Sequence, residues 1–555
     1  MPIGSLAIAI LLHVPYVRRA GMWPFGEYQL YRAICDGIVP VLEAIRELQA
    51  GGIAPRFTVA LSPLVAEQLS DLLLRTGFEE FMLRRLSQAE EDARSADADL
   101  AAAAVAQKAR DERVLLAFFE EHRRDLVRSL REVEHAGAIE AIAYPATGAV
   151  LPLLPRVSAR RAQVLQGLRA AEQHLEHAVA GMWLPGGAVA PGAEGESIND
   201  LLTGSGVTYT FVGEKALRGP MPGLPGMEGA PRSALDPQRL SDGLVALVRH
   251  GEFAAFVDSF AGQPEYFGPA DPLGRRYWRR GGMPPDLAAG PGALEITVGA
   301  APHDAQARRY DPSEAEGLWK RQAAAAVVRA RELLAAHKDR TGRGGVLCLT
   351  LDARRFSAWP EGVPWLTEFV RQAHAAGIKL ESGAEAVHRH QLQSLPDLTP
   401  SSWEGEGDFR VWQADNTTWY WEAVATTLDH AESLADRFGG VGNPLLVRML
   451  AQATREALLL IAGEWPEMIG RGGEELDYAA ERVREHLDRF RRLAYMLDTA
   501  NPEEMDTPLL ERYEALDNPF QSIDLGLLSA DQHLAARDAP PGHRPWSGMG
   551  PGGVI

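Results

Sequence analysis

The sequence predicts an α/β protein built on a closed, mostly parallel barrel, and three observations carry that prediction. Short apolar strands recur along the first two thirds of the chain, helical stretches separate them, and past residue 420 strand patterns cease and helical ones continue. Strands that alternate with helices pair in parallel, because the crossover between them needs the helix. At 555 residues a closed barrel with appended helices suits the chain better than an open sheet. A hydrophobic fraction of 46% with 24% charged residues is ordinary globular composition.

The elements follow in order. Strands are expected at Leu6 to His13, Arg56 to Leu61, Ile139 to Tyr144, Val207 to Val212 and Val346 to Leu351. The first apolar run lacks a basic flank and a small-residue cleavage site, so it reads as a strand rather than a signal peptide. Between the second and third strands, Gly77 to His135 places Val114, Leu115, Phe118, Phe119, Leu126 and Leu130 at helical spacing, the pattern of a helical hairpin laid on the barrel. Residues 186–205 and 214–243 are rich in Gly and Pro and read as long loops over the barrel mouth. Leu445 to Ala462 and Glu475 to Leu497 predict a C-terminal bundle. The expected domains are a barrel over 1–400 with its insertion around 77–135, a helical domain over 401–535 and a disordered tail over 536–555.

Charge narrows the partners. A formal net charge of −19 repels nucleic acid and anionic membranes, and no basic stripe with interleaved aromatics offsets it. No apolar run is long enough to span a bilayer. Two cysteines, Cys35 and Cys348, build neither a disulfide framework nor a zinc site, which fits a reducing compartment and makes the cytoplasm the expected location. No metal and no cofactor are expected.

In parallel barrels the chemistry sits at the C-terminal strand ends. His13 follows the first strand and is either a site imidazole or one held by backbone. Trp23 follows closely in a Trp-Pro-Phe-Gly loop. Asp352 directly follows the last predicted strand, as a mouth carboxylate or a helix cap. The stretch GMWLPGGAVAPG (181–192) delivers Trp183 into a bare glycine loop with nothing reactive in it. SSWEGEGDFRVW (401–412) joins Trp403 and Trp412 to Glu404, Glu406 and Asp408. Tryptophan faces stack on sugar rings and carboxylates accept hydroxyl hydrogen bonds, so this cluster points to a carbohydrate. Solvated loop positions are the simpler reading of Glu404 and Glu406.

With these segments the sequence resembles glycoside hydrolase family 57, most of all its 1,4-alpha-glucan branching enzymes, over roughly residues 5–525. The matching segments are HVPYVRRAGMWPFGE (13–27), LSPLVAEQL (61–69), GMWLP (181–185), YTFV (209–212), DPLGRRYWR (271–279), LDARRFSAW (351–359), SSWEGEGDFRVW (401–412), GEWPEMI (463–469) and DNPF (517–520). The resemblance implies a distorted (β/α)7 barrel with a helical insertion and a C-terminal α-helical domain. It also implies an alpha-glucan ligand and, in active members, a retaining double displacement by two carboxyl groups about 5 Å apart.

The acid/base position of the family falls on Asp352, and the position of its nucleophilic glutamate falls on Gly186. Glycine forms no glycosyl ester, and Glu194 and Glu196 lie well downstream. Further positions depart too: Leu11 and Gly148 stand where the family has histidines, and Arg354, Ser357 and Ala358 where it has Glu, Gly and His. A guanidinium beside Asp352 favours its ionised form, the wrong state for a general acid. His13 and the tryptophans Trp23, Trp183, Trp278, Trp359, Trp403, Trp412 and Trp465, with Asp408, remain as expected glucan contacts. The expected function is a branching-enzyme-like alpha-glucan-binding protein of glycogen metabolism with impaired catalysis. The alternative is an active branching enzyme or hydrolase of shifted mechanism that pairs Asp352 with another carboxylate such as Glu404 or Glu406.

Overall fold

Seven parallel strands close into a ring. They are β1 (Gly4–Leu12), β2 (Phe57–Leu61), β3 (Ile139–Ile142), β4 (Gly181–Met182), β5 (Tyr209–Gly213), β7 (Val245–Arg249) and β8 (Gly345–Asp352), where β6 (Gln238–Arg239) is a short antiparallel strand on β7. β1 pairs with β2 and β8, β2 with β3, β4 with β5, β5 with β7, and β7 with β8. The ring closes through a single parallel bridge, Ala143 to Met182, and that thin seam is where the barrel is distorted. Followed strand to strand, the register leaves β1 at Leu12 and returns to it at Gly4, a stagger of eight residues. Such a stagger is what tilts strands enough to close a sheet. Two short strands complete the sheet: β9 (Lys379–Leu380) on the lower half of β1, and β10 (Gln393–Ser394) on β6. The described residues are 3–22, 25–95, 98–190, 197–217, 232–266, 311–359, 361–499 and 506–530 in this computed structural model. Trp23, Trp278, Glu194, Glu196 and the tail over 536–555 lie outside them.

The expected strands are present with ends shifted by one or two residues, and β4 and β7 join them. The period of two along each strand fills the barrel with Ala7, Ala9 and Leu11 from β1, Tyr209 and Phe211 from β5, Val245 and Leu247 from β7, and Val346 and Cys348 from β8. The same alternation carries His13, Arg249 and Asp352 to the inner side of the C-terminal rim. At the opposite end the helix Gly383–Arg389 fits over the barrel, begun by a Ser382–Glu385 capping box. Glu140 accepts the Ala384 N–H at 2.9 Å and the Tyr209 hydroxyl at 2.7 Å. Burial pushes this carboxyl up despite those bonds.

The insertion consists of the helices Leu72–Ser95 and Ala98–Leu116, joined across a buried Arg85–Asp111 ion pair of 2.9 Å. Phe78 meets Phe118 edge-on at 4.9 Å. A separate helix, Leu126–His135, follows with Asp125 as its cap and leads into β3.

The chain forms two compact units, one of residues 1–145, 168–190 and 202–409, the other of 146–167, 191–201 and 410–555. The second is helical: Thr418–Phe438, Pro444–Leu460, Glu464–Arg471, Gly473–Thr499 and Thr507–Leu516 supply its long elements. Asn443 and Asp506 cap two of these, each with proline in the first turn, which explains sharp starts. Among the described residues no helix is long and apolar enough to cross a membrane.

Candidate functional site

The rim of the barrel is built by register. Leu12 pairs with Leu61, and Ala60 with Ile142, so the residues just past these strands, His13, Ser62 and Tyr144, fall at one level. His13 Nδ1 shares a 2.7 Å hydrogen bond with the Ser62 hydroxyl, and its ring lies 4.9 Å from that of Tyr144. His13 is buried, so both partners fix its orientation. The seam at Met182 sets Trp183 next in the series, and its indole packs 5.8 Å from Phe211.

Trp403 then covers this floor. Its ring meets Trp183 nearly perpendicular, at 86° and 5.5 Å. Its backbone N–H donates to the Gly186 carbonyl at 2.8 Å. The glycine loop exists to allow this approach: Gly186 and Gly187 both have φ of 57°, the left-handed region, and a Cβ on Gly187 would stand 2.2 Å from the Trp403 ring. The Gly213 position at the end of β5 is filled likewise, with the Trp403 Cβ 3.3 Å from where its own Cβ would be. The Gly186 site is therefore shaped as a backbone seat for Trp403.

Asp352 ends β8 on the inner side, opposite Leu11 in the register. Its Oδ1 accepts the backbone N–H of Arg354 at 2.8 Å, and its Oδ2 accepts the Arg354 Nε and Nη2 at 2.9 and 2.6 Å. The buried Leu11 beside it offers only methyl groups. Further round the rim stands a residue that the sequence reading missed. Arg249, last in β7, lies 5.9 Å over the Trp403 ring and 3.5 Å from Asp258, which in turn pairs with Arg355. Burial lowers the affinity of Arg249 for its proton, and the fields of Asp258 and Glu404 oppose that. The signal was available: LVALVR at 244–249 has the apolar run of a strand, and the alternation places arginine on the inner side.

The other expected contacts scatter. Asp408 is half-buried, and its carbonyl accepts the Ser402 hydroxyl at 2.6 Å. Glu406 is exposed, with its carbonyl bonded by Lys215. Trp359 is buried among Trp365 and Tyr266, at 5.4 and 6.0 Å, inside an aromatic core that continues to Phe369. In the second unit Trp412 is buried and accepts the Trp421 indole N–H at its carbonyl. Trp465, also buried, donates its own to Leu459. Trp183, Trp403, His13, Gly186 and Asp352 share the barrel unit, whereas Trp412 and Trp465 belong to the other.

One group with metal-ligand composition occurs among the described residues, Glu456, His486 and Asp517 in the second unit. His486 Nδ1 is 2.8 Å from Glu456, Arg489 pairs with Asp517, and Gln452 donates to Glu456 at 2.9 Å. Burial raises the Glu456 carboxyl and lowers His486, which favours the neutral form of both, while Arg489 offsets the charge of Asp517.

Comparison with known proteins agrees with this architecture at both ends of the chain. Residues 40–253 match the profile of glycosyl hydrolase family 57, and residues 424–527 match that of the 1,4-alpha-glucan branching enzyme C-terminal region. The chain is similar to the branching enzymes of glycoside hydrolase family 57. It is 29% identical to a 1,4-alpha-glucan branching enzyme of Thermococcus kodakarensis over 94% of this chain and 78% of that protein. A Mycobacterium tuberculosis protein described as a probable 1,4-alpha-glucan branching enzyme is 27% identical, over 94% of this chain and 97% of its own. Among solved structures, a family 57 branching enzyme of Pyrococcus horikoshii superposes with a TM-score of 0.84 at 26% identity, covering 95% of this chain and 97% of that one. That superposition agrees with a distorted (β/α)7 barrel and a C-terminal helical domain in this chain.

Proposed function

We propose that this family 57 chain binds alpha-glucan at the barrel mouth and has lost the covalent chemistry of a branching enzyme. The observation that carries the reading is the Gly186–Trp403 contact. The position that corresponds to the family nucleophile holds no side chain, and its carbonyl and left-handed backbone serve to seat a tryptophan. A double displacement needs a carboxylate there and a proton donor opposite. Asp352, the proton-donor position, accepts three N–H groups from Arg354. The half-buried Trp403 indole, held edge-on against the buried Trp183, supplies apolar surface for a sugar face. The glucan ligand follows from the relatives, which are named as alpha-glucan branching enzymes.

A second reading, hydrolysis with inversion through Asp352 and Glu404, has one observation in its favour: the Glu404 carboxylate is near enough to act on Arg249 at the rim. The two readings part on one experiment. Incubation with maltohexaose, followed by product analysis and calorimetry, returns binding without turnover under the first and a rising yield of shorter oligosaccharides under the second.

A further inference from the structure

We propose that Arg249 is the positioning residue of the Trp403 ring, and that Asp258 ties the pose of that ring to the β8 loop bearing Asp352. Four observations make the chain of contacts. The Arg249 guanidinium sits 5.9 Å over the Trp403 ring, on the inner side of the rim. Its counter-ion Asp258 lies 3.5 Å away at the end of the helix Gly251–Asp258, which starts directly after β7. Asp258 holds a second guanidinium, Arg355, three residues beyond Asp352. Trp403 itself comes from a loop, anchored by its backbone to Gly186 and by the Ser402 hydroxyl to the Asp408 carbonyl.

A loop tryptophan beside three glycines, Gly186, Gly187 and Gly213, meets backbone on that side, while Trp183 packs against its ring edge-on. A half-buried cation over the ring adds a preference for one rotamer, because the attraction depends on the ring face and strengthens as water is excluded. Arg249 is well placed to do this, since its strand fixes the backbone and Asp258 fixes the head group. Glu404 and Glu214 add negative field on the same cation, so the loop that carries Trp403 is also drawn toward Arg249. The geometry accounts for an arginine at an inner rim position in which neither a catalytic carboxylate nor an apolar filler stands.

The consequence for ligand binding rests on the proposed alpha-glucan site, so the test reads the ring and the ligand separately. The Trp403 signal is the near-ultraviolet circular dichroism lost on Trp403→Phe, and binding is the maltohexaose affinity by calorimetry. Arg249→Met should abolish most of that Trp403-dependent signal and weaken maltohexaose about five- to tenfold. Arg249→Lys should restore most of the signal and bring affinity within about threefold of the parent, a rescue that a simple packing role would not show. Asp258→Asn should lose part of the signal, and it carries the test if Arg249→Met does not fold. A Trp403 signal unchanged in Arg249→Met, or in Asp258→Asn where that variant stands in, overturns the proposal. If the signal falls as expected and the parent binds no maltohexaose, the positioning role stands and the glucan reading fails.

Discussion

Arg354 donates three hydrogen bonds to Asp352, one from its backbone and two from its guanidinium. The pair is partly open to solvent, with 41% of the arginine and 23% of the aspartate side chain exposed. Exposed pairs contribute little to stability, so Arg354→Gln should cost less than about 1 kcal/mol by urea denaturation. It should also leave an activated maltoside uncleaved, because Gly186 still provides no nucleophile. Efficient release of the leaving group by Arg354→Gln would mean that the clamp alone silences the site.

The glycine loop makes a graded prediction. A side chain at Gly186 must adopt the left-handed backbone, which costs on the order of 1–2 kcal/mol. Gly187→Ala adds a collision with the Trp403 ring at 2.2 Å and should cost about 2–4 kcal/mol. Denaturation curves should therefore rank Gly187→Ala as the more damaging. Gly186→Glu alone should remain inactive, and Gly186→Glu with Arg354→Glu should show at most weak hydrolysis, since members of a catalytic unit act together. Robust branching by the single change would show that the site lacks one group only.

The tryptophans separate by burial. Trp403 is half-buried at the rim, so Trp403→Ala should weaken maltohexaose by roughly tenfold with a modest stability loss. Trp412 is buried in the second unit, and Trp412→Ala should cost about 3–5 kcal/mol of stability. Calorimetry and denaturation of both variants check this, and equal effects on both properties would erase the distinction.

Acid stability has a defined source below the barrel. Glu381 is buried, which by itself raises its carboxyl, but His390, Lys379 and Ser5 hold it down to about 2. An unfolded glutamate titrates near about 4.3. The folded carboxyl is thus depressed, so its contribution is complete above the unfolded value and is lost as pH falls from about 4.3 toward about 2. Urea midpoints across that window should fall more steeply in the parent than in Glu381→Gln. Parallel slopes would remove Glu381 as the cause.

Legibility differed with the physics of each element. Strands β1, β2, β5 and β8 are mostly apolar runs buried along nearly their whole length, and β3 interrupts its run only at Glu140, so they stand out in a sequence. β4 has two residues, paired with β5 on one side and joined by a single bridge on the other, so its sequence records mainly the tryptophan and glycines that follow it. β7 was hidden by the Gly- and Pro-rich segment before it, and with it went Arg249, whose role depends on the inner side of a strand not yet recognised. Asp352 was legible because a carboxylate at a strand end is a local pattern. Trp359, Trp412 and Trp465 show the limit: a buried indole that fills a core and one that meets a sugar are the same letter, and long-range packing alone separates them.

The central claim, a mouth that retains its aromatic seat without covalent chemistry, is tested most directly by incubating the purified protein with amylose and measuring new alpha-1,6 linkages after debranching. The account predicts a linkage content equal to that of a mock preparation and an unchanged iodine colour, whereas linkages that increase with protein and time, and that disappear in Asp352→Asn, would contradict it.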